Sequence, residues 1–100
     1  MSVLITLKFK GDTAKFRQAL HERGDEFAKL GEGSKAAGAM HHRFGIGEGY
    51  VLVVDEWESL EQFQQFFSDP ELQALIATVG ATSEPPEMTV AEAVTSPDQF

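Results

Sequence analysis

The 100-residue sequence has no cysteine, no lysine or arginine after Arg43, and no long apolar run. Without cysteine, it can form neither a disulfide framework nor a thiolate metal site. Because no apolar run approaches about 18 residues, we expect no segment that spans a membrane. The first residues also lack the basic start and small-residue cleavage site of a signal peptide. We therefore expect a cytoplasmic protein.

The charge of the chain is negative and unevenly distributed. Eight Lys and Arg against 16 Asp and Glu give a net charge of −8. The first fifty residues carry 8 positive and 6 negative charges, whereas the last fifty carry 10 negative and no positive charges. Nucleic acids and anionic membranes require clustered basic residues, so we expect neither as a partner. Two interpretations of the asymmetry stay open: a solvated acidic surface, or a homodimer whose basic and acidic halves face each other.

The order of apolar patterns predicts four strands and two helical regions. Period-two alternation predicts strands, and spacing at i, i+3, i+4 and i+7 predicts helices. Capping residues before each helical region and glycines after it set the predicted ends. Strands are predicted at 3–10, 36–46, 50–57 and 88–94; a first helix starts near Thr13 and ends at Gly31 or Gly33; a second region starts after Ser59, is interrupted at Asp69-Pro70 and ends at Gly80.

The order β-α-β-β-α-β predicts an α+β protein with a ferredoxin-like fold. Two right-handed crossovers place the first and third strands at the centre of a four-stranded antiparallel sheet, with the helices on one face. We expect one domain over residues 1–95 and a short tail over 96–100. The other sheet face also carries apolar residues, and a second copy of the chain is the simplest way to cover it. The sequence therefore predicts a homodimer.

One segment resembles a known superfamily. Trp57-Glu58-Ser59, followed by Phe63, Phe66-Phe67, Ser68-Asp69 and Leu72, resembles the dimeric α/β-barrel superfamily and is most similar to its antibiotic-biosynthesis-monooxygenase-like group. The resemblance implies that two subunits form a dimeric α/β barrel, with a pocket between sheet and helices in each. Members include cofactor-independent quinone-forming monooxygenases, heme-degrading enzymes, small-ligand isomerases and many proteins without an assigned activity.

The heme-degrading branch of that superfamily does not fit this sequence. The branch uses an asparagine on the first strand, a tryptophan in the second helix and a heme-ligating histidine further on. This chain has no asparagine, Phe66 stands at the tryptophan position, and Leu75 or Ile76 stands at the histidine position. We therefore expect no heme and no other cofactor.

His41 and His42 are the most suggestive polar residues. Adjacent residues of a strand point to opposite faces, so the pair cannot chelate one metal ion in a regular strand, and we predict no metal site. His42 shares its parity with Met40 and Phe44. It is either a partly buried structural histidine or a general base that takes a proton from a phenol or hydroquinone. A one-residue slip of this strand would exchange His41 and His42.

The remaining candidate residues would bind a ligand. Trp57, Phe63 and Phe67, together with Met40, would shape a pocket for a small flat apolar or aromatic molecule, although aromatic residues also fill cores. Arg43 would hold an anion or a substrate oxygen, or it forms a salt bridge with Asp55 or Glu56 across the hairpin. Three functions stay open: a ligand-binding protein, a cofactor-independent monooxygenase of quinol or polyphenolic substrates with His42 as catalytic base, and a structural or interaction dimer.

Overall fold

A computed structural model describes residues 1–82 and 84–100 of the chain. It has four strands and four helices, in an order that matches the predicted β-α-β-β-α-β pattern once each helical region is divided in two. The elements are β1 (Val3–Lys10), α1 (Thr13–Glu22), α2 (Gly24–Ala37), β2 (Ala39–Gly47), β3 (Tyr50–Trp57), α3 (Leu60–Phe67), α4 (Pro70–Thr78) and β4 (Glu87–Glu92).

The strands form one antiparallel sheet in the order β2-β3-β1-β4. The prediction that the first and third strands are central is confirmed. Both strands have apolar residues on their two faces, as strands inside a sheet commonly do. β4 is shorter than predicted and ends at Glu92, because its partner β1 begins at Val3, opposite Glu92.

The predicted first helix differs most from the structure. Instead of one helix that ends at Gly31 or Gly33, α1 and α2 meet at Arg23, and α2 continues to Ala37. A glycine inside a helix costs only about 1 kcal/mol relative to alanine, so packing can carry a helix through one. The helix ends at Gly38, whose φ of 123° is disfavoured for other residues. For the same reason β2 begins at Ala39 and not at residue 36.

The predicted caps of the other helices are confirmed. The Ser59 side chain accepts a hydrogen bond from the Gln62 backbone N–H at 3.2 Å, which caps α3. Asp69 caps α4 in the same way, and Pro70 occupies the first helical turn. These caps keep α3 and α4 as two short helices with a corner between them.

All four helices pack against one face of the sheet, and the core has two parts. One cluster surrounds Trp57 at the end of β3, and the other joins α1 and α4 to the opposite end of the same strand. The first contains Ile5, Leu7, Val53, Trp57 and Phe63; the second contains Phe16, Ala19, Val51, Leu75 and Val79. Among the described residues, no helix combines the length and apolar character that crossing a membrane requires.

Candidate functional site

A cavity of about 380 Å³ lies between the helices and the inner face of the sheet. Its volume falls in the range of roughly 300–1,000 Å³ that small-molecule sites occupy. Side chains of both core clusters line it, and most of them are hydrocarbon. The polar residues of its lining are Lys10, Asp12, Ser34, His42 and Asp55.

His42, Asp55 and Trp57 form a hydrogen-bonded chain in the wall of this cavity. The His42 Nδ1 lies 2.6 Å from Oδ1 of Asp55, and the Trp57 indole N–H donates to Oδ2 of Asp55 at 3.0 Å. The Asp55 side chain is 8% exposed and that of His42 is 39% exposed. A carboxylate in such a position is stable only with partners, and both of its oxygens have one.

The tautomer of His42 follows from these partners. An ionised carboxylate only accepts hydrogen bonds, so the short contact requires a hydrogen on Nδ1 of His42. In the neutral ring, Nε2 of His42 then carries the lone pair that can accept a proton. The His42 side chain lines the cavity. This is the arrangement of a histidine base that a carboxylate orients, since the carboxylate also stabilises the imidazolium that forms.

The register of the hairpin brings the histidine and the carboxylate together. His42 lies directly opposite Asp55 in the β2–β3 ladder, and Asp55 shares its face with Val53 and Trp57. Directly opposite residues have Cβ atoms only about 5 Å apart, so their side chains meet. Of the two histidines, His42 is therefore the one on the helix side.

A bulge at the start of β2 changes the parity that the sequence predicts for Met40. Ala39 lies opposite Trp57 and His41 lies opposite Glu56, so Met40 is the extra residue between them. A bulge breaks the period-two alternation of a strand. Residues of the same parity therefore point to one face of the sheet before the bulge and to the other face after it. Met40 is 50% exposed and lies outside the cavity lining in the described part of the chain.

The other predicted residues divide between the two faces of the sheet. His42, Trp57, Phe63 and Phe67 all line the cavity. Arg43 lies opposite Val54, which is exposed on the outer face, and Arg43 is not among the described residues that line this cavity. The expected salt bridge of Arg43 with Asp55 or Glu56 is absent among the described residues. Asp55 faces the helices and bonds to His42 and Trp57, and the Glu56 carboxylate accepts a hydrogen bond from Ser2 and lies 4.0 Å from Nε2 of His41.

Aromatic rings occupy much of the cavity lining, and one of them contacts the histidine. Phe44 stands edge-on to His42 with ring centroids 4.7 Å apart, and it also contacts Phe16 and Phe27 in T-shaped geometry. Beyond Asp55, the Trp57 ring contacts Phe63 and Phe66. Rings in offset or edge-to-face contact leave π faces and edges on which another flat ring can pack.

The Arg23 side chain connects α2 with α4, and both helices contribute residues to the cavity lining. Its Nη1 donates to Oγ1 of Thr78 in α4 at 2.7 Å, while its Nη2 donates to Oε2 of Glu26 in α2 at 2.8 Å. The hydrogen bond with Glu26 raises the pKa of Arg23 and lowers the pKa of Glu26. This link fixes the corner between α1 and α2 against the end of α4.

The described residues contain no cluster of three or more His, Cys, Asp and Glu side chains that could hold a metal ion. The sequence pattern missed two members of the site. Asp55 is the one charged residue at a buried position of β3, and that interruption of an apolar strand is a usable signal. Ser34 had no such signal, because the predicted helix ended before it.

Comparison with solved structures identifies the fold. Rv0793 of Mycobacterium tuberculosis aligns with a TM-score of 0.65 at 17% identity, covering 98% of this chain and 100% of that one. SnoaB, a cofactor-independent oxygenase of Streptomyces nogalater, aligns with a TM-score of 0.67 at 13% identity, covering 98% of both chains. The monooxygenase ActVA-Orf6 of Streptomyces coelicolor, in complex with nanaomycin D, aligns with a TM-score of 0.68 at 17% identity, covering 95% of this chain and 89% of that one.

These similarities confirm the predicted fold of the single chain. The chain has the ferredoxin-like α+β fold of the antibiotic-biosynthesis-monooxygenase-like proteins. No protein-family model and no curated protein sequence matches it. At this identity the similarity establishes the fold, and the function has to be argued from the site.

Proposed function

We propose that the cavity binds a small, flat, phenolic or quinol-type molecule, and that the protein oxygenates it without a cofactor, with His42 as the catalytic base. The observation that carries this proposal is the 2.6 Å contact between His42 and the buried Asp55 in the wall of a largely apolar cavity. A cavity that only bound a hydrocarbon would need neither group. The similarity in fold to a cofactor-independent oxygenase supports the same reaction class.

The reaction needs one proton transfer from the protein. His42 takes the phenolic proton through Nε2, and Asp55 stabilises the imidazolium that results. The electron-rich phenolate then reacts with O2 at a ring carbon that carries hydrogen. One oxygen atom becomes a quinone carbonyl and the other leaves as water, with protons from the ring carbon and from His42. A phenol and O2 therefore give a quinone and water, and the substrate supplies all the electrons.

The aromatic wall residues have a positioning role in this scheme. Trp57 donates to Asp55 and so holds the carboxylate that orients His42. Phe63 and Phe67 stack with centroids 5.3 Å apart and present a flat apolar surface. Such a wall binds a flat ring and excludes water from the reacting carbon.

Ligand binding without chemistry is the second candidate, and the largely apolar lining favours it. Oxygen consumption separates the two functions. Purified protein is incubated with naphthols and dihydroxynaphthalenes in an oxygen electrode, with isotopically labelled O2 and mass analysis of the quinone product. We expect catalysed uptake and one labelled oxygen atom in the quinone. Binding of these compounds in calorimetry, with uptake no faster than without protein, would leave the binding function alone.

We also propose that a second copy of the chain covers the outer face of the sheet. Leu4 and Val54 lie on this face and are 45% and 46% exposed, although both belong to central strands. Exposed apolar side chains at the centre of a sheet face indicate an interaction surface. Sheet-to-sheet packing of two copies would produce the expected homodimer.

Val54→Glu is expected to convert a dimer into a monomer, because each copy would bury an unpaired carboxylate in the proposed interface. Sedimentation equilibrium measures the mass. Val94→Glu is the matched control, since Val94 is 74% exposed and lies beyond β4. A wild-type protein that sediments as a monomer would contradict the dimer, and so would a Val54→Glu variant that remains dimeric.

A further inference from the structure

The helical wall of the cavity contains a second buried polar residue. Among the described residues, two polar residues are buried, Ser34 at 9% and Asp55 at 7% exposure of the whole residue, and both line this cavity. Asp55 belongs to the sheet, and its hydrogen bonds with His42 and Trp57 account for its burial. Ser34 belongs to α2, in the helical layer, and the reaction described above does not use it.

The hydroxyl of Ser34 has a defined hydrogen-bonding character. Its Oγ donates to the backbone carbonyl of Gly31 at 2.8 Å. A hydroxyl has one hydrogen and two acceptor lone pairs, so this hydroxyl has acceptor capacity left and no free hydrogen. Ser34 therefore offers the cavity a hydrogen-bond acceptor, which suits a donor on a ligand.

The wall beside this hydroxyl is open. Gly31 lies one helical turn before Ser34 and also lines the cavity. Outside its chain neighbours and the adjacent backbone of α2, a Cβ atom placed on Gly31 would meet no atom within 4 Å, so space remains where a side chain would otherwise stand. A ligand can approach the helix closely at this turn.

We infer that Ser34 is a specificity-determining residue that accepts a hydrogen bond from a second hydroxyl group of the ligand. The preferred substrates are then flat aromatic molecules with at least two hydroxyl groups, one at His42 and another at Ser34. This inference rests on the proposed ligand site and narrows its substrate class. A site that accepts a hydrogen bond from a ligand hydroxyl discriminates against an analogue that cannot donate, because that analogue loses the bond.

The test uses dihydroxynaphthalene isomers and their monomethyl ethers, in which the second oxygen can no longer donate. Dissociation constants are measured by calorimetry without oxygen, so that turnover does not interfere. For the best-binding diol, we expect Ser34→Ala to weaken binding about fivefold, the size of one hydrogen bond. The dissociation constant of its monomethyl ether should change by less than about twofold. The ether cannot form this hydrogen bond with either the wild-type protein or the variant.

A matched control and a rescue variant separate recognition from a structural role. The Ser68 hydroxyl donates to the Gln65 carbonyl in the same i−3 pattern but is exposed, so Ser68→Ala should affect neither ligand. Ser34→Thr keeps a hydroxyl and should restore part of the preference for the diol.

Three outcomes would overturn the inference. An equal loss for diol and ether in Ser34→Ala would mean that Ser34 only shapes the helix. No loss for either would mean that the ligand does not reach it, and the proposed function would stand if oxygen uptake persisted. If the wild-type protein bound none of these compounds and consumed no oxygen with them, the inference and the proposed function would both fail.

Discussion

Replacing His42 with alanine is expected to lower the rate of oxygen consumption by about 10²–10⁴-fold, the contribution of a positioned general base. Binding of the same phenol, measured without oxygen, should change little, because the aromatic walls of the cavity remain. His41→Ala is the matched control, since His41 is adjacent in sequence, lies opposite Glu56 on the outer sheet face and is 77% exposed. It should keep the wild-type rate.

Asp55→Asn is expected to lower the rate nearly as much, for a different reason. The Trp57 indole can only donate, so it holds the amide oxygen of the new side chain and turns the amide NH2 group toward His42. Nδ1 of His42 must then accept a hydrogen bond, so the ring hydrogen moves to Nε2. Nε2 thereby loses the lone pair that would take the phenolic proton. A rate within about twofold of wild type for either variant would contradict the role of His42 as a base, because a general base contributes far more.

Gly31→Leu is expected to block the cavity and to stabilise the fold. Its Cβ has open space and the residue lines the cavity, so the leucine side chain should extend into the volume that a ligand would occupy. We expect binding of dihydroxynaphthalenes to fall beyond detection. The free energy of unfolding should rise by about 1 kcal/mol from helix propensity, with a further gain from apolar burial.

The opposite signs of these two effects make the Gly31→Leu result informative. Urea denaturation measures stability and calorimetry measures binding. Gly24→Leu is the matched control, because Gly24 also has open space at its Cβ but lies outside the cavity lining. That control should leave binding unchanged. Undiminished binding in Gly31→Leu would place the ligand site elsewhere.

The architecture could be predicted because its determinants are local. The bounds of β1 and β3 follow from alternation, and the caps at Ser59 and Asp69 follow from side chains that bond neighbouring backbone. The break at Arg23 and the continuation of α2 past Gly31 depend on packing against the sheet, which propensity does not contain.

The site could be predicted only in part, because it depends on pairing between strands. His42 and the aromatic residues were found from residue type and parity. The partnership of His42 with Asp55 requires the β2–β3 register, and the loss of Met40 from the inner face requires the bulge. A bulge has no reliable sequence signal in a strand made of small and polar residues.

The single tryptophan of the chain allows ligand binding in the cavity to be followed by intrinsic fluorescence. Trp57 is its only indole and lines the cavity, and its ring nitrogen is bonded to Asp55. The one tyrosine, Tyr50, lies at the far end of the same strand, beneath the Lys8 ammonium group. Fluorescence excited at the red edge of the tryptophan absorption band therefore reports on the surroundings of Trp57 alone. A flat aromatic ligand should quench it without any added label, so occupancy can be followed in real time on the unmodified protein.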